Sequence, residues 1–408
     1  MIPQVSSVVL IAAGVILGLL LPFLLFTPRA PRPATNLRGI DALDAWLESL
    51  TAHRTPPALD VVVLRDGQEV YRRSFGVADC EGERPASADG LYHYWSVTKL
   101  FTATAVMQLV EEGRLRLDDA VTDHLPGFAT VDRSGKPAAI TVRQLLDHTS
   151  GMRNLSPFHL VGWIHGADDA PVAQSALLAG RMASYRRLSR RPGARAAYSN
   201  AGYIVLGALV ESVAGQSYES FVRERVLAPL ALNDTGFVYG PGRIARAVTG
   251  THPLFHFFTP LLLLVHHDWF TRWVSRTRRQ RMWLVPLHSD YTAPTGLIGT
   301  ARDLARFGQA FLAGGELEGR RILAAGSVRD LLDGGYAGAS GPDRERMGLG
   351  WHWWSDAALP FKGHGGEGPG FAAQLALFPE RNMVIAILAS DTLIDRVGIT
   401  QAIAATFA

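Results

Sequence analysis

Cysteine is almost absent. Cys80 stands alone among 408 residues, which excludes an intramolecular disulfide and any multi-cysteine metal site. Lysine is nearly as scarce, since Lys99, Lys136 and Lys362 are the only three among 40 basic residues. A motif that requires lysine therefore rarely arises here by chance. An excess of one charge sign is lacking too: 40 basic and 37 acidic residues leave +3, too even a balance for a nucleic-acid stripe, so no nucleic-acid partner is expected. No internal repeat or low-complexity tract interrupts the chain. What remains is 48% apolar and 19% charged, the composition of a globular chain long enough to bury a sizeable core.

The longest hydrophobic run lies near the start. Residues 8–26 are 19 residues without a charge, about 28 Å as a helix and close to the thickness of bilayer hydrocarbon. Met1 to Ser7 contains no Lys or Arg, unlike the start of a cleavable signal peptide, so residues 1–28 are expected to be an uncleaved anchor in preference to a signal peptide. Residues 29–36 follow as a proline-rich stiff spacer. This predicts a membrane location through a single N-terminal span, with the domain at 37–408 outside the cytoplasm. Arg29, Arg32 and Arg38 after the span leave the orientation open.

Beyond the spacer, Leu37, Ile40, Leu43, Leu47 and Leu50 recur at helical spacing. Residues 59–64 and 69–75 flank Arg65-Asp66-Gly67-Gln68, a strong hairpin signal. The middle, 99–240, reads mostly as helix and loop, including a helical stretch at 201–214. Near the end, 371–378 and 383–389 read as strands joined by Pro379-Glu380-Arg381-Asn382 and followed by a short helix. These elements predict an α+β fold, an antiparallel sheet built from both termini and flanked by helices, with an inserted helical subdomain.

Three features carry chemistry. Ser96-Val97-Thr98-Lys99 opens an apolar helical run, which puts the serine at a helix start with the lysine one turn later on the same face. A lysine kept neutral by burial can take a serine proton, although a capping serine beside a solvated lysine has the same pattern. Tyr198-Ser199-Asn200 precedes the 201–214 helix, where a loop presents a phenol and a carboxamide to a cleft, or else Asn200 caps the helix and Tyr198 packs. Residues 362–371, Lys-Gly-His-Gly-Gly-Glu-Gly-Pro-Gly-Phe, are a glycine-rich approach to a strand. Such a segment lets a substrate backbone come close and can aim an N–H at an oxyanion, or is a plain turn.

Taken in order, Trp95 to Lys99, the 145–152 block Leu-Leu-Asp-His-Thr-Ser-Gly-Met, Tyr198 to Tyr203, Gly296-Leu297 with 300–305, and His364 to Phe371 resemble the serine β-lactamase and penicillin-binding protein superfamily. The likeness is to its class C-like branch, which includes D-alanyl-D-alanine carboxypeptidases, D-aminopeptidases and esterases, and it spans most of the chain. The resemblance implies a β-lactamase/transpeptidase-like fold with Ser96 as the acylated nucleophile, Lys99 as its activator, Tyr198 as acid/base and Asn200 as a contact of substrate and lysine. It implies an oxyanion hole from the N–H groups of Ser96 and Glu367, beside Gly366, and no metal or organic cofactor. His364 falls where the third motif has a lysine, replacing a fixed cation by a group of ordinary pKa about 6.5. Gly365 stands where a threonine is common, and bulky Glu367 where a small residue is usual. These departures favour an ester or an amide without an adjacent carboxylate.

In that family His148 lies in a structural loop, and it is read here as structural. His252, His256, His266 and His267 are not expected to bind metal, because Pro253 and Pro260 break their spacing and no carboxylate cluster accompanies them. The 241–292 insertion is the least family-like part. Its apolar run at 254–265 is too short to span a bilayer. Trp269, Phe270, Trp273 and Val274 fall on one side of a helical wheel, opposite Arg272, Arg276 and Arg279, the pattern of an interfacial helix. A membrane lipid surface is therefore an expected partner, and a cover over the sheet or cleft is the alternative. The expected function is that of a membrane-anchored serine hydrolase, an esterase or amidase/peptidase acting on a small-molecule or peptide acyl substrate. The alternatives are a D-Ala-type carboxypeptidase or weak β-lactamase, and a catalytically idle binding protein.

Overall fold

The computed structural model describes residues 37–408 apart from 54, 80–83, 157–158, 160–161, 168, 170, 241, 256–268 and 340–345. An eight-stranded antiparallel sheet is its backbone. In chain order its strands are β1 (Ala58–Arg65), β2 (Gln68–Gly76), β3 (Gly335–Ala339), β4 (Arg346–Gly348), β5 (His352–Trp354), β6 (Phe361–Gly368), β7 (Phe371–Phe378) and β8 (Met383–Ala389). Their order across the sheet is β3-β4-β5-β6-β7-β8-β1-β2, so the first strand closes against the last, from Leu59 opposite Ala389 to Arg65 opposite Met383. The sheet is thus built from both ends of the chain, as the sequence pattern predicts.

Local chemistry fixes its hairpins. Asp66 and Gly67 both have positive φ, 52° and 76°, the two-residue turn whose twist matches the strands that it joins. Asn382 supplies the left-handed residue between β7 and β8. Helix α1 (Ile40–Ala52) buries Leu43, Leu47 and Leu50 on one face of the sheet together with α5 (Arg396–Thr406). On the other face lie α2 (Thr98–Glu111), α3 (Asn200–Ala214) and α4 (Ala301–Leu312), within the main core.

Two expectations need correction. Among the described residues no helix is long and apolar enough to cross a membrane, so the predicted membrane location is withdrawn; residues 8–26 lie outside the described residues. Among the described residues the expected interfacial helix through Trp269 to Arg279 does not form. Trp269–Trp273 is helical, and the chain then turns into the hairpin Val274–Arg278 and Arg281–Leu284. Arg279 and Gln280, at φ 52° and 59°, make its turn. Alternation over so few residues imitates a helical wheel, and the structure resolves the ambiguity by burying Trp273 in the main core. A third strand, Thr251–Pro253, completes this small sheet. Thr251 N–H meets the carbonyls of Gly370 and Ser390 at 3.0 and 3.1 Å, and Arg281 forms a buried 2.7 Å ion pair with Asp391. The described part of the insertion is therefore docked on the end of the main sheet.

One buried acid makes stability depend on pH. Burial pushes the Asp60 carboxyl in β1 up to about 7, against the partly offsetting Ser74 and Tyr92 hydroxyls and Arg72 charge. Its folded pKa exceeds its unfolded value, so the folded state holds the proton more tightly and loses stability as pH rises from about 4 to about 7. Asp60→Asn is expected to remove this dependence, by up to about 4 kcal/mol between those limits. Urea unfolding of both proteins at pH 5 and pH 8 checks this; equal pH slopes would refute it.

Candidate active site

The site forms where α2 and α3 meet the edge of β6. Trp95–Val97 is a single 3-10 turn that feeds directly into α2, and Trp95 adopts φ 45°, a left-handed conformation uncommon for a bulky residue. Its ring stacks on His93 at 4.9 Å, and the Tyr94 hydroxyl donates to the Thr300 carbonyl at 2.6 Å. These contacts hold the turn in a shape that places Ser96 and Lys99 one turn apart on a common face.

Lys99 is fully buried. Its Nζ donates to Asn200 Oδ1 at 2.7 Å and to the Pro294 carbonyl at 3.0 Å, and lies 3.1 Å from Ser96 Oγ. Desolvation holds this amine well below the usual lysine range. Tyr198 O–H donates to Ser96 Oγ at 2.6 Å, and Lys99 Nζ also sits 4.8 Å from the Tyr198 ring centre and 5.4 Å from that of Tyr203. The four residues singled out in the sequence, Ser96, Lys99, Tyr198 and Asn200, thus form one contact cluster.

The loop carrying Tyr198 is held from below by His148. At φ 60° His148 accepts from Ala197 N–H through its carbonyl at 2.8 Å and from Ser199 N–H through Nδ1 at 3.2 Å, clamping both neighbours of Tyr198. Ser199 is the N-cap of α3, its side chain accepting from Gly202 N–H, so Asn200 is free of capping and turns its carboxamide to Lys99.

Strand β6 supplies the remaining wall, and its glycines let it pack against the turn that presents Ser96. A Cβ on Gly366 would stand 2.0 Å from the Tyr94 carbonyl and 3.2 Å from Ser96 N, and one on Gly368 would stand 2.5 Å from the Trp95 ring. The missing side chains let the strand press against the turn that presents Ser96. Glu367 points the other way and pairs with Arg396 at 3.1 Å, which also fills the space beside Gly365. Its bulk therefore lies away from the serine.

His364 faces inward. Its ring lies 6.2 Å from that of Tyr198 and 4.2 Å from that of His352, and the His148 ring lies 4.7 Å from Tyr198 and 6.2 Å from His352. Burial, then the neighbouring His352 and Lys99, hold both His364 and His148 well below the usual histidine range. His364 Nδ1–H donates to the Gly365 carbonyl at 2.6 Å. Neutral imidazoles therefore stand at His364 and His148, burial holding His364 well below a histidine's ordinary pKa. Sequence reasoning missed His352 and the Pro294 carbonyl. Neither belongs to a local pattern, since a main-chain acceptor has no residue signature and His352 becomes adjacent only through the β5–β6 register, His352 opposite Gly363. Among the described residues no group of three or more His, Cys, Asp or Glu is placed to hold a metal ion.

The Beta-lactamase family model matches residues 43–406, and the chain belongs to that family of serine hydrolases. It is 37% identical over 202 residues to Esterase EstB of Burkholderia gladioli, covering 48% of this chain and 51% of that one. It is 31% identical over 183 residues to Protein flp of Staphylococcus aureus (strain MW2), covering 44% of this chain and 35% of that one. These matches thus span about half or less of the curated relatives' length. Among solved structures, the octameric penicillin-binding protein homologue from Pyrococcus abyssi superposes with TM-score 0.71 at 24% identity, over 90% of this chain and 77% of that one. D-amino acid amidase from Ochrobactrum anthropi SV3 superposes with TM-score 0.70 at 20% identity, over 90% and 98%. The two superpositions establish the shared fold.

Proposed function

We propose that the chain is a serine hydrolase that works through an acyl-enzyme at Ser96 on uncharged esters or amides. The observation that carries this reading is the position of Ser96 Oγ between the Tyr198 hydroxyl and a buried amine. A neutral Lys99 has two hydrogens, both engaged by Asn200 Oδ1 and the Pro294 carbonyl, which leaves its lone pair for the Ser96 proton. Ser96 Oγ attacks the acyl carbon while that proton passes to Lys99. Tyr198 then delivers a proton to the departing alkoxide or amine and recovers one from Lys99. Water enters by the same route in reverse, releasing the acid and restoring the serine. The N–H groups of Ser96 and Glu367 receive the oxyanion. The unit that acts is 37–408, with 241–292 as an apolar and basic insertion in it.

His364 supports the choice of substrate. A buried neutral imidazole offers no fixed charge to a substrate carboxylate, so a carboxypeptidase or β-lactamase reaction lacks its anchor, whereas a neutral ester loses nothing. Labelling by a fluorophosphonate together with weak labelling by a fluorescent penicillin is expected. His364→Lys should shift the ratio of penicillin acylation to neutral ester hydrolysis upward by about tenfold. An unchanged ratio would show that His364 does not face the substrate, and no labelling by either probe would favour the idle binding protein.

A further inference from the structure

One cavity is lined by none of the catalytic residues. It encloses about 550 Å³, within the size range of small-molecule sites. Leu227, Leu232 and Phe237 give it an apolar floor, and Glu219, Arg223 and Arg243 stand on its rim. Arg223 and Leu227 bound a five-residue π-helical segment, a backbone form that concentrates at functional positions.

Carboxyls lie near both arginines but not in contact with them, Glu219 near Arg223 and Asp234 and Asp303 near Arg243. Among the described residues neither Arg223 nor Arg243 forms an ion pair with a carboxylate. Arg243 spends its bonds on the Asp234 and Ile298 carbonyls, at 2.7 and 3.4 Å, and its Nε is buried without a partner. The nearby carboxyl, Glu219, is largely buried and held above the usual carboxylate range by desolvation, with the Thr292 hydroxyl donating to it. Two cations without a carboxylate in ion-pair contact, beside an apolar floor, suit a ligand with a hydrocarbon body and one negative end.

The walls also reach the catalytic cluster. Glu219 holds Thr292, and the next two carbonyls along that segment bind α2: Ala293 accepts from Thr102 Oγ1 at 2.5 Å and Pro294 from Lys99 Nζ at 3.0 Å. On the opposite wall Thr235 Oγ1 lies 3.1 Å from the Tyr94 hydroxyl, two residues before Ser96. A ligand that shifts either wall thus acts on the groups that position Lys99 and Ser96.

We infer that this cavity is an effector site for a small molecule with an apolar body and a carboxylate end. Octanoate is a suitable probe, with octan-1-ol as the uncharged control. Calorimetric titration of the full chain should show saturable one-to-one binding of octanoate and none of octan-1-ol. Arg223→Met should weaken it about tenfold through loss of a charged partner, and Ala228→Trp should abolish it by filling the cavity. Arg223 and Ala228 are exposed, so both variants keep the fold. Octanoate should change kcat for a saturating acetate ester by about fivefold, and should leave the Ala228→Trp enzyme unaffected. An acid released by turnover and a free acid of other origin share this chemistry. Progress curves of an octanoyl ester that bend in the parent but not in Ala228→Trp would identify the product as the source, and straight curves would identify a separate acid. Absence of binding, binding that survives Ala228→Trp, or an unchanged kcat would overturn the inference. The kinetic half rests on the hydrolase reading, whereas the titration does not, so the two failures are distinguishable.

Discussion

Ser96→Ala is expected to lower kcat for an activated ester by a factor on the order of 10⁶ while leaving the protein folded. The reasoning is geometric. Among the described residues Ser96 Oγ makes its hydrogen bonds within the cluster, to Lys99 and Tyr198, and it caps no helix, because the turn that it occupies has no side-chain cap. Removing one oxygen leaves Lys99 bound to Asn200 and Pro294, so the buried amine keeps its partners. The lost group is, among the described residues, the hydroxyl that contacts both the amine and the phenol. Steady-state kinetics with a p-nitrophenyl ester, beside circular dichroism and fluorophosphonate labelling, checks this. Turnover equal to that of the parent would remove Ser96 from the mechanism.

The second large effect belongs to the two groups flanking the serine. Lys99→Met keeps the buried stem and removes the proton acceptor, so kcat should fall about 10⁴-fold. Tyr198→Phe keeps the ring packed against His148 and removes only the hydroxyl, so a fall of about 10²- to 10³-fold is expected. Because both act on one proton route, the double variant should be little worse than Lys99→Met. The parent should also show an acid limb. Desolvation depresses the lysine pKa, so the amine is neutral and competent above that lowered value and loses activity as pH falls through it. This limb should vanish from the residual rate of Lys99→Met. Fully additive losses, or an acid limb that survives in Lys99→Met, would sink the proposed activation.

Much of this site was legible in the chain because its parts are local. A serine and a lysine three apart must share a face once Trp95–Glu111 becomes helical, and the scarcity of lysine made that pair conspicuous. The Asp66-Gly67 turn and the β7–β8 hairpin were equally readable, since φ-positive residues and alternation act over a few positions. What escaped the sequence is long-range. The Pro294 carbonyl reaches Lys99 across 195 positions, and the ring contact between His352 and His364 exists only because β5 pairs with β6. The hairpin at 274–284 failed for another reason: its period was sampled over too few residues to separate 2.0 from 3.6. The packing of the β6 glycines against the Ser96 turn was not legible, because a glycine announces a close approach without saying from which side.

Helix α2 has a consequence for durability. Every residue from Thr98 to Leu109 is buried, so the helix has no solvent-facing stripe from which fraying or a sub-global opening can begin. The lysine cannot meet water through a partial excursion of its own segment, and its depressed pKa is protected for as long as the core is whole. Heat should therefore not produce a folded but disarmed form: inactivation and cooperative melting of the molecule coincide, and the chemistry is lost only when the whole interior is.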